Sequence, residues 1–531
     1  MCSLRGTEPL LVAGYGLVVN LRGTGSPDVP AFLRQWLVNE MRKQGVGGSG
    51  YGMDSVTPEQ LLASPDTAVV LVQGLIPPGA SAGTRFDVLV TALPQTQTTS
   101  LKGGQLWTVD LSRNGADPAL RFSRKLAQAS GPIYSDPFER PASPQPGPTL
   151  QREAVVLSGA VVTESRELEL ILNQPSWQRS RAIADRINER FARAPSDRFD
   201  TAVPMTDAVI RLNIPARFAA RLQELLNLIS HLYVQRSANF EQEQAQKLAD
   251  LLVAEPKWAG DVVPAWEGVG KTAIPVLRRY YDHPKLEVRL AALDAGTWLE
   301  DEATMDQLAL LALSPDPTIR AQTAKLLVNL PRSLRGTQRL HILLDDEEAS
   351  VRVAAYESLA TINDPIIQRV PIGQKERFKF VIDLVPSRKP LVYIAQARTP
   401  RLAIFNPTLG LEGPFVWRTW DNRLMLRSDG PHDPVQVFYQ PPGQTQGRTL
   451  ETPPTLADLA GLLAHRPTLE QPEEGFDLTY GQVVDVVYAL CQQKIVEAPV
   501  SLQISPLATA IAQAQAVSQE SPRPETTPSG G

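Results

Sequence analysis

Four sets of residues in the chain have types and spacings that could do chemistry. Gly268-Val269-Gly270-Lys271-Thr272 imitates the end of a phosphate-binding loop, in which backbone N–H groups cradle phosphate and a lysine reaches its oxygens. That motif needs a glycine five places before Gly270, where Ala265 stands. It also needs a preceding strand, and residues 261–266 do not read as one. The plainer reading makes Gly268 and Gly270 the end of one helix and residues 273–278 the start of the next. Glu300-Asp301-Glu302 and Asp345 to Glu348 offer carboxylates for a hard cation or an acid/base pair. Both clusters fall at expected turns between helices, where acids complement helix N-termini and stay solvated, and neither has the alternating spacing of a calcium loop. His231, His283, His341, His432 and His465 lie in different elements, none beside a cysteine or an acid pair at ligand spacing. Cys2 and Cys491 are too far apart in sequence to imply a disulfide framework or a zinc site. No nucleophile elbow surrounds Ser158-Gly159 or Thr24-Gly25. The expected catalytic, metal and cofactor sets are therefore empty, and the chain reads as non-enzymatic.

A chain of 531 residues needs about three folded units. Hydrophobic residues at 43% and charged residues at 21% are ordinary globular composition. A formal net charge of −5 supplies no basic face for phosphates, so nucleic acid is not an expected partner. No apolar run reaches the roughly 18 residues of a membrane span.

Residues 1–130 read as a mixed strand and helix unit. An apolar run from Leu10 to Leu21 is punctuated by glycine and ends in the turn Gly23-Thr24-Gly25. Phe32, Trp36, Leu37 and Met41 have helical spacing, and strands are expected over 66–74, 86–93 and 106–111. Residues 131–150 are rich in Pro, Ser and Gly and read as a linker. A second α+β unit over 151–235 follows the order β-β-α-β-α, with Leu168, Leu170 and Leu172 alternating and Ile183, Ile187 and Phe191 stacked on a helix.

Strand signals then stop, and amphipathic helices fill residues 236–370. Val288-Arg289, Ile319-Arg320 and Val351-Arg352 each lead into alanines at helical spacing, with the arginines 31 and 32 residues apart. Small alanines let neighbouring helices approach closely, and each arginine can lie across the ridge between units. The expectation is an all-α solenoid of short HEAT-like repeats. Strands return over 371–507: Phe378, Phe380, Ile382 and Leu384 alternate, and 392–397 with 401–405 resembles a hairpin. Helices are expected over 456–465 and 480–491, and a strand over 500–504. Residues 508–531, Gln/Ala-rich and then Ser/Pro/Thr-rich, are expected to be a disordered tail. The fold class expected is thus α+β domains with an inserted helical solenoid.

The run from Leu10 to Gly25, Leu-Leu-Val-Ala-Gly-Tyr-Gly-Leu-Val-Val-Asn-Leu-Arg-Gly-Thr-Gly, resembles the opening of the flagellar P-ring protein family. Ala68 to Leu71, Pro77-Pro78, Gly83 and Phe86-Asp87-Val88 follow that family's order of strand, turn and strand. Thr99-Ser100-Leu101-Lys102-Gly103-Gly104-Gln105-Leu106, Ser158 to Val162 and Ala182 to Asn188 also have counterparts in it. The likeness covers about residues 10–232, and the helical array resembles the insertion carried by variants of planctomycete type. The resemblance implies a periplasmic structural protein of the flagellar basal body, self-associating as a ring around the rod near the peptidoglycan. On that reading Gly14, Gly16, Gly23 and Gly25 are turns that set the backbone path, and Lys102 and Gly103 are candidate subunit contacts. The chain starts without an evident leader peptide, and a lipid anchor at Cys2 is a further expectation, weakened because Met1 is not the small residue such a site needs. Two alternatives are a non-flagellar periplasmic scaffold binding partners through its repeats, and, with least support, an enzyme acting on cell-wall material.

Overall fold

The computed structural model describes residues 2–43, 57–113, 124–136, 151–218, 221–234, 237–330, 333–373, 378–467, 474–503 and 505–520. It opens with strands β1 (Cys2–Arg5) and β2 (Leu10–Val19), helices α1 (Ala31–Lys43) and α2 (Pro58–Leu62), and strands β3 (Ala68–Ile76), β4 (Arg85–Ala92), β5 (Gln105–Leu111), β6 (Ala127–Pro132) and β7 (Glu153–Val162). Strands β2-β3-β4-β7-β6-β5 close into an antiparallel barrel. The two-residue period of its strands sorts their side chains. Val18, Val70, Val72, Val88 and Val90 fill the interior, while Leu17 and Val69 face outward against Leu33, Leu37 and Met41 of α1 and Leu62 of α2. Helix α2 is fixed by a capping box between Thr57 and Gln60.

The expected boundary at 131–150 is corrected here. Strand β7, assigned from sequence to the second unit, pairs with β4 and β6 and completes the barrel. Its alternating Ala154, Val156, Ala160 and Val162 are buried in the barrel core, and closure leaves no open edge. Within the expected linker, residues 137–150 lie outside the described residues. Strand β1 in turn leaves the first unit and pairs with β8 (Leu168–Leu172). With α3 (Trp177–Arg190), β9 (Ala202–Pro204), β10 (Val209–Leu212) and α4 (Leu222–Ser230), it builds a sheet of order β1-β8-β10-β9 over a core of Leu170, Ile187, Phe191 and Leu225.

Among the described residues there follow the α-helices α5 (Ala238–Ala254), α6 (Ala259–Val269), α7 (Ile274–Leu277), α8 (Leu286–Trp298), α9 (Thr304–Leu311), α10 (Pro317–Leu327), α11 (Leu334–Leu343) and α12 (Ala349–Thr361). Ala292, Ala295, Ala324 and Ala355 are fully buried between them. The recurring arginines reach back to the preceding turn. Arg289 donates to the His283 carbonyl (2.9 Å), Arg320 to Ser314 (2.8 Å) and Arg352 to Asp346 (2.8 Å). Arg320 also crosses to the next turn, where it grips Asp346 with two bonds of 2.8 Å.

The last part holds β11 (Gln368–Ile372), β12 (Phe380–Val385), β13 (Leu391–Ile394), β14 (Arg401–Phe405), β15 (Phe415–Thr419), β16 (Leu424–Ser428), β17 (Val435–Tyr439), β18 (Arg448–Thr452), α13 (Leu456–Ala464), α14 (Tyr480–Gln492), β19 (Val500–Leu502) and α15 (Leu507–Glu520). In its mixed sheet, β11-β12-β14-β13-β19, the inner strands β12, β14 and β13 are buried on both faces. Val385, Leu391, Tyr393, Ala403 and Phe405 pack against the helical array. Phe380, Ile382, Val392, Ile394, Leu402 and Ile404 face α13 and α14. The second sheet is the antiparallel meander β15-β16-β17-β18. The expected hairpin is present as β13 and β14. Residue 504, the end of the expected closing strand, lies outside the described residues, as do 521–531. The disordered tail expected from 508 is corrected over residues 508–520, which belong to α15. Alanine-rich sequence favours helix, and Ile511, only 2% exposed, anchors it beside β2, β3 and β4.

Candidate functional site at the junction of the barrel and the C-terminal unit

The four glycines expected as turns divide into two kinds. Gly14 and Gly16 sit inside β2 and do not turn; that expectation is corrected. A Cβ at Gly14 would come 2.5 Å from the Asp110 carbonyl oxygen, and one at Gly16 2.3 Å from Val109. Barrel closure brings β5 across β2 at these positions, and only glycine leaves room. Gly23 does occupy a turn, with φ of +83°. Gly25 lies where a Cβ would meet the Thr67 carbonyl at 2.1 Å.

Lys102 and Gly103 occupy the exposed turn before β5. The Lys102 ammonium pairs at 2.9 Å with Asp485 on α14, its side chain 42% exposed and that of Asp485 14%. Burial pushes the Asp485 carboxyl up, with Lys102 opposing that rise. The lysine expected to reach a neighbouring subunit therefore ties two parts of one chain together. Gly103 has φ of +74° and open space where a Cβ would project.

Sequence reasoning missed the rest of this junction. Ser158 bulges from β7 with φ of +50°, and Arg398 between β13 and β14 has φ of +60°. The Asp87 carboxylate accepts from both backbone N–H groups, at 2.7 Å each, and the Ser158 hydroxyl donates to the Arg398 carbonyl at 2.9 Å. Burial raises the Asp87 carboxyl, while those N–H donors lower it. Two residues in the left-handed region are thus held by one acid. Nearby, Gln396 donates to the Tyr134 hydroxyl (3.2 Å) and to Asp136 (3.0 Å). The Tyr134 ring stacks on Tyr480 at 5.6 Å, and the Tyr480 hydroxyl lies 2.8 Å from both the Ala395 and the Arg401 carbonyl oxygens. The β-bulge at Phe86/Val88 marks the site in the structure, yet nothing in the local sequence announces it.

A cleft of about 1050 Å³ opens beside these contacts. Its barrel wall is Arg85, Ser130 to Tyr134 and Leu157 to Gly159, and the opposite wall includes Lys379, Thr399, His465, Arg466, Asp477 and Thr479.

The residues singled out for chemistry do not converge. Gly268 lies within α6, and Gly270 caps it with φ of +92°. Asp301 and Asp346 correct the expectation of solvated acids. Asp301 accepts two bonds from Arg278 (2.9 and 2.7 Å) and one from the Tyr281 hydroxyl (3.0 Å). Burial pushes its carboxyl up, but the bonds from Arg278, the Ala303 N–H and Tyr281 together hold it below the usual carboxylate range. His341 meets Asp364 at 3.2 Å, and the His231 ring nitrogen lies 2.7 Å from the Asn227 carbonyl. His283 accepts from the Lys285 N–H. Cys491 is buried, its thiol pushed up to about 12, and Cys2 begins β1, its thiol raised by burial. No group of three or more His, Cys, Asp or Glu able to hold a metal occurs among the described residues. Among them, too, no helix is long and apolar enough to cross a membrane.

Among the described residues, the polar groups named above hold barrel, helices and sheets to one another. Residues 1–242 match the family model of the flagellar P-ring protein. The match stops in the first turns of α5, so it spans the barrel and the β1-β8-β10-β9 sheet and leaves out nearly all of the helical array. The flagellar P-ring protein of Geobacter metallireducens is 29% identical over 250 residues, which is 45% of this chain and 61% of that protein. That of Rhodopseudomonas palustris is 30% identical over 254 residues, 47% of this chain and 61% of the relative. That of Aquifex aeolicus is 27% identical over 230 residues, 41% and 56% respectively. The chain thus spans about six-tenths of the length of the curated relatives it matches.

Proposed function

We propose that this protein is a structural subunit of the bacterial flagellar basal body, assembling with copies of itself into a P-ring-like collar around the rod, in the periplasm and close to peptidoglycan. The observation that carries the reading is the family match over residues 1–242, the segment that folds into the closed barrel and its companion sheet. A ring needs heterologous contacts that close, and a rigid barrel can hold them at a fixed angle. The tip at Lys102 and Gly103 is the first contact to test. Lys102 is already engaged within the chain, so Gly103, with nothing within 4 Å of its missing Cβ, is the better probe. Asparagine tolerates the left-handed backbone there, so Gly103→Asn disturbs a neighbour more than the fold. Electron microscopy of detergent-extracted envelopes carrying a tagged copy tests the proposal. Labelled rings on basal bodies are expected, and a pool of single subunits refutes it.

A second reading rests on the helical array. Its recurring arginine-to-turn bonds support a HEAT-like solenoid, whose outer helices present Leu310 and Ile342 at 64% and 60% exposure, one repeat apart. On this reading the protein is a non-flagellar periplasmic scaffold or adaptor. Retention of swimming in cells lacking the gene favours it over the collar. Membrane partition of a Cys2→Ser variant, unchanged from the parent, removes the lipid anchor from either reading.

A further inference from the structure

The cleft beside the junction inverts the charge of the molecule around it. The chain is acidic overall, at −5, yet among the described lining residues Arg85, Lys379 and Arg466 stand against one carboxylate, Asp477, with His465 alongside. The cations stand on facing walls. Arg85, exposed, is steadied by a bond to the Ser158 carbonyl (3.2 Å) on the barrel side. Across the cleft Lys379 is held by the Ala464 carbonyl (2.8 Å), the Leu478 carbonyl (3.1 Å) and Asp477. Arg466, also exposed, lies 3.8 Å from Asp477. Asp477 is thus shared between Lys379 and Arg466, and the described lining keeps a net positive charge, with Arg85 on the barrel side and Arg466 on the C-terminal side.

We propose that this cleft binds an extended acidic peptide segment, whose carboxylates are taken by Arg85 on one wall and Arg466 on the other. Several features select that ligand. Arginine's planar fork suits a carboxylate. Cations contributed by both units suit charges spread along a chain. The ladder of β6 with β7 is interrupted between Ala129/Ala160 and the bridge of Tyr134 with Val155, and the interrupted stretch, Ser130 to Pro132 and Leu157 to Gly159, forms the barrel wall. Occupancy would also bridge the barrel and the C-terminal unit, in parallel with the Lys102–Asp485 pair.

Fluorescence anisotropy with a dye-labelled peptide of alternating Glu and Gly, titrated with the full chain, tests this. Each arginine contact is worth roughly tenfold, so the Arg85→Ala/Arg466→Ala variant should bind about a hundredfold more weakly. Thr399→Glu, which adds a like charge at the exposed rim, should weaken binding by about tenfold without removing any native contact. A Gln/Gly peptide should not bind, and Arg335→Ala, on the exposed surface of α11, should change nothing. The proposal is overturned if the acidic peptide fails to bind or if the double variant binds it as well as the parent. It is overturned equally if inorganic phosphate displaces the peptide mole for mole, which would make the cleft a simple anion site.

Discussion

Replacing Lys102 with alanine should loosen the docking of α14 on the barrel. The pair with Asp485 is neither a surface contact nor a fully enclosed one, since the lysine side chain is 42% exposed and the aspartate 14%. Breaking an enclosed pair costs about 3–5 kcal/mol and an exposed one about 0–1 kcal/mol. The intermediate exposure places the loss at about 1.5 kcal/mol, a roughly tenfold change in the opening equilibrium. Burial raises the Asp485 carboxyl above its ordinary value of 3.8 even with Lys102 opposing. The folded junction therefore takes up a proton more readily than the unfolded chain, and its stability falls as pH rises through that raised value. Without Lys102 the rise is larger, so the cost of the substitution is full in alkaline solution and fades as pH falls through the two raised values. Hydrogen exchange at α14 amides reads local opening without requiring two-state unfolding of the whole chain. Exchange should quicken about tenfold near pH 8 and little near pH 4, and adding Asp485→Asn should recover most of the loss. Unchanged exchange in Lys102→Ala, combined with lost self-association, refutes this reasoning and makes Lys102 an intermolecular contact.

Gly16→Ala sets a Cβ 2.3 Å from Val109, so the barrel should lose about 1–3 kcal/mol, seen as a lower melting temperature. Arg320→Ala removes both bonds to Asp346, whose carboxyl they help hold below the ordinary range against burial; the array should lose about 2 kcal/mol above pH 4, read as faster exchange in α10 and α12. Burial pushes Asp294 up to about 6, with the Glu224 charge adding to the rise against a hydrogen bond with Trp298. Stability from this group declines as pH rises from its ordinary 3.8 through about 6, and Asp294→Asn should flatten that slope in melting curves. Glu267 is pushed up to about 9 by burial and the Asp294 charge, so it is protonated at neutral pH. Glu267→Gln should therefore melt like the parent near pH 4 and outlast it increasingly as pH rises from the ordinary 4.5 through about 9.

The sequence carried local order well and long-range order poorly. The apolar run from Leu10, the alternation of Phe380, Ile382 and Leu384, and the helical spacing of Ile187 and Phe191 reach the structure within a residue or two because each depends only on neighbours. The barrel's closing strand was misplaced because nothing in residues 153–162 names β4 as partner, and the proline-rich stretch before it imitates a boundary. Asp87 is 71 residues from Ser158 and 311 from Arg398, so no motif could join them. Asp301 and Asp346 looked solvated because a turn position says nothing about an arginine 23 or 26 residues away folding over it. Gly14 and Gly16 were legible as essential but not as packing glycines, since the approach of β5 exists only once the barrel closes.

The decisive measurement is the state of the purified full chain and of native basal bodies under the electron microscope, with a label on the barrel. Closed collars of regular subunits encircling the rod are the predicted result. Basal bodies that never carry the label, with the protein found as monomers elsewhere in the envelope, would contradict it.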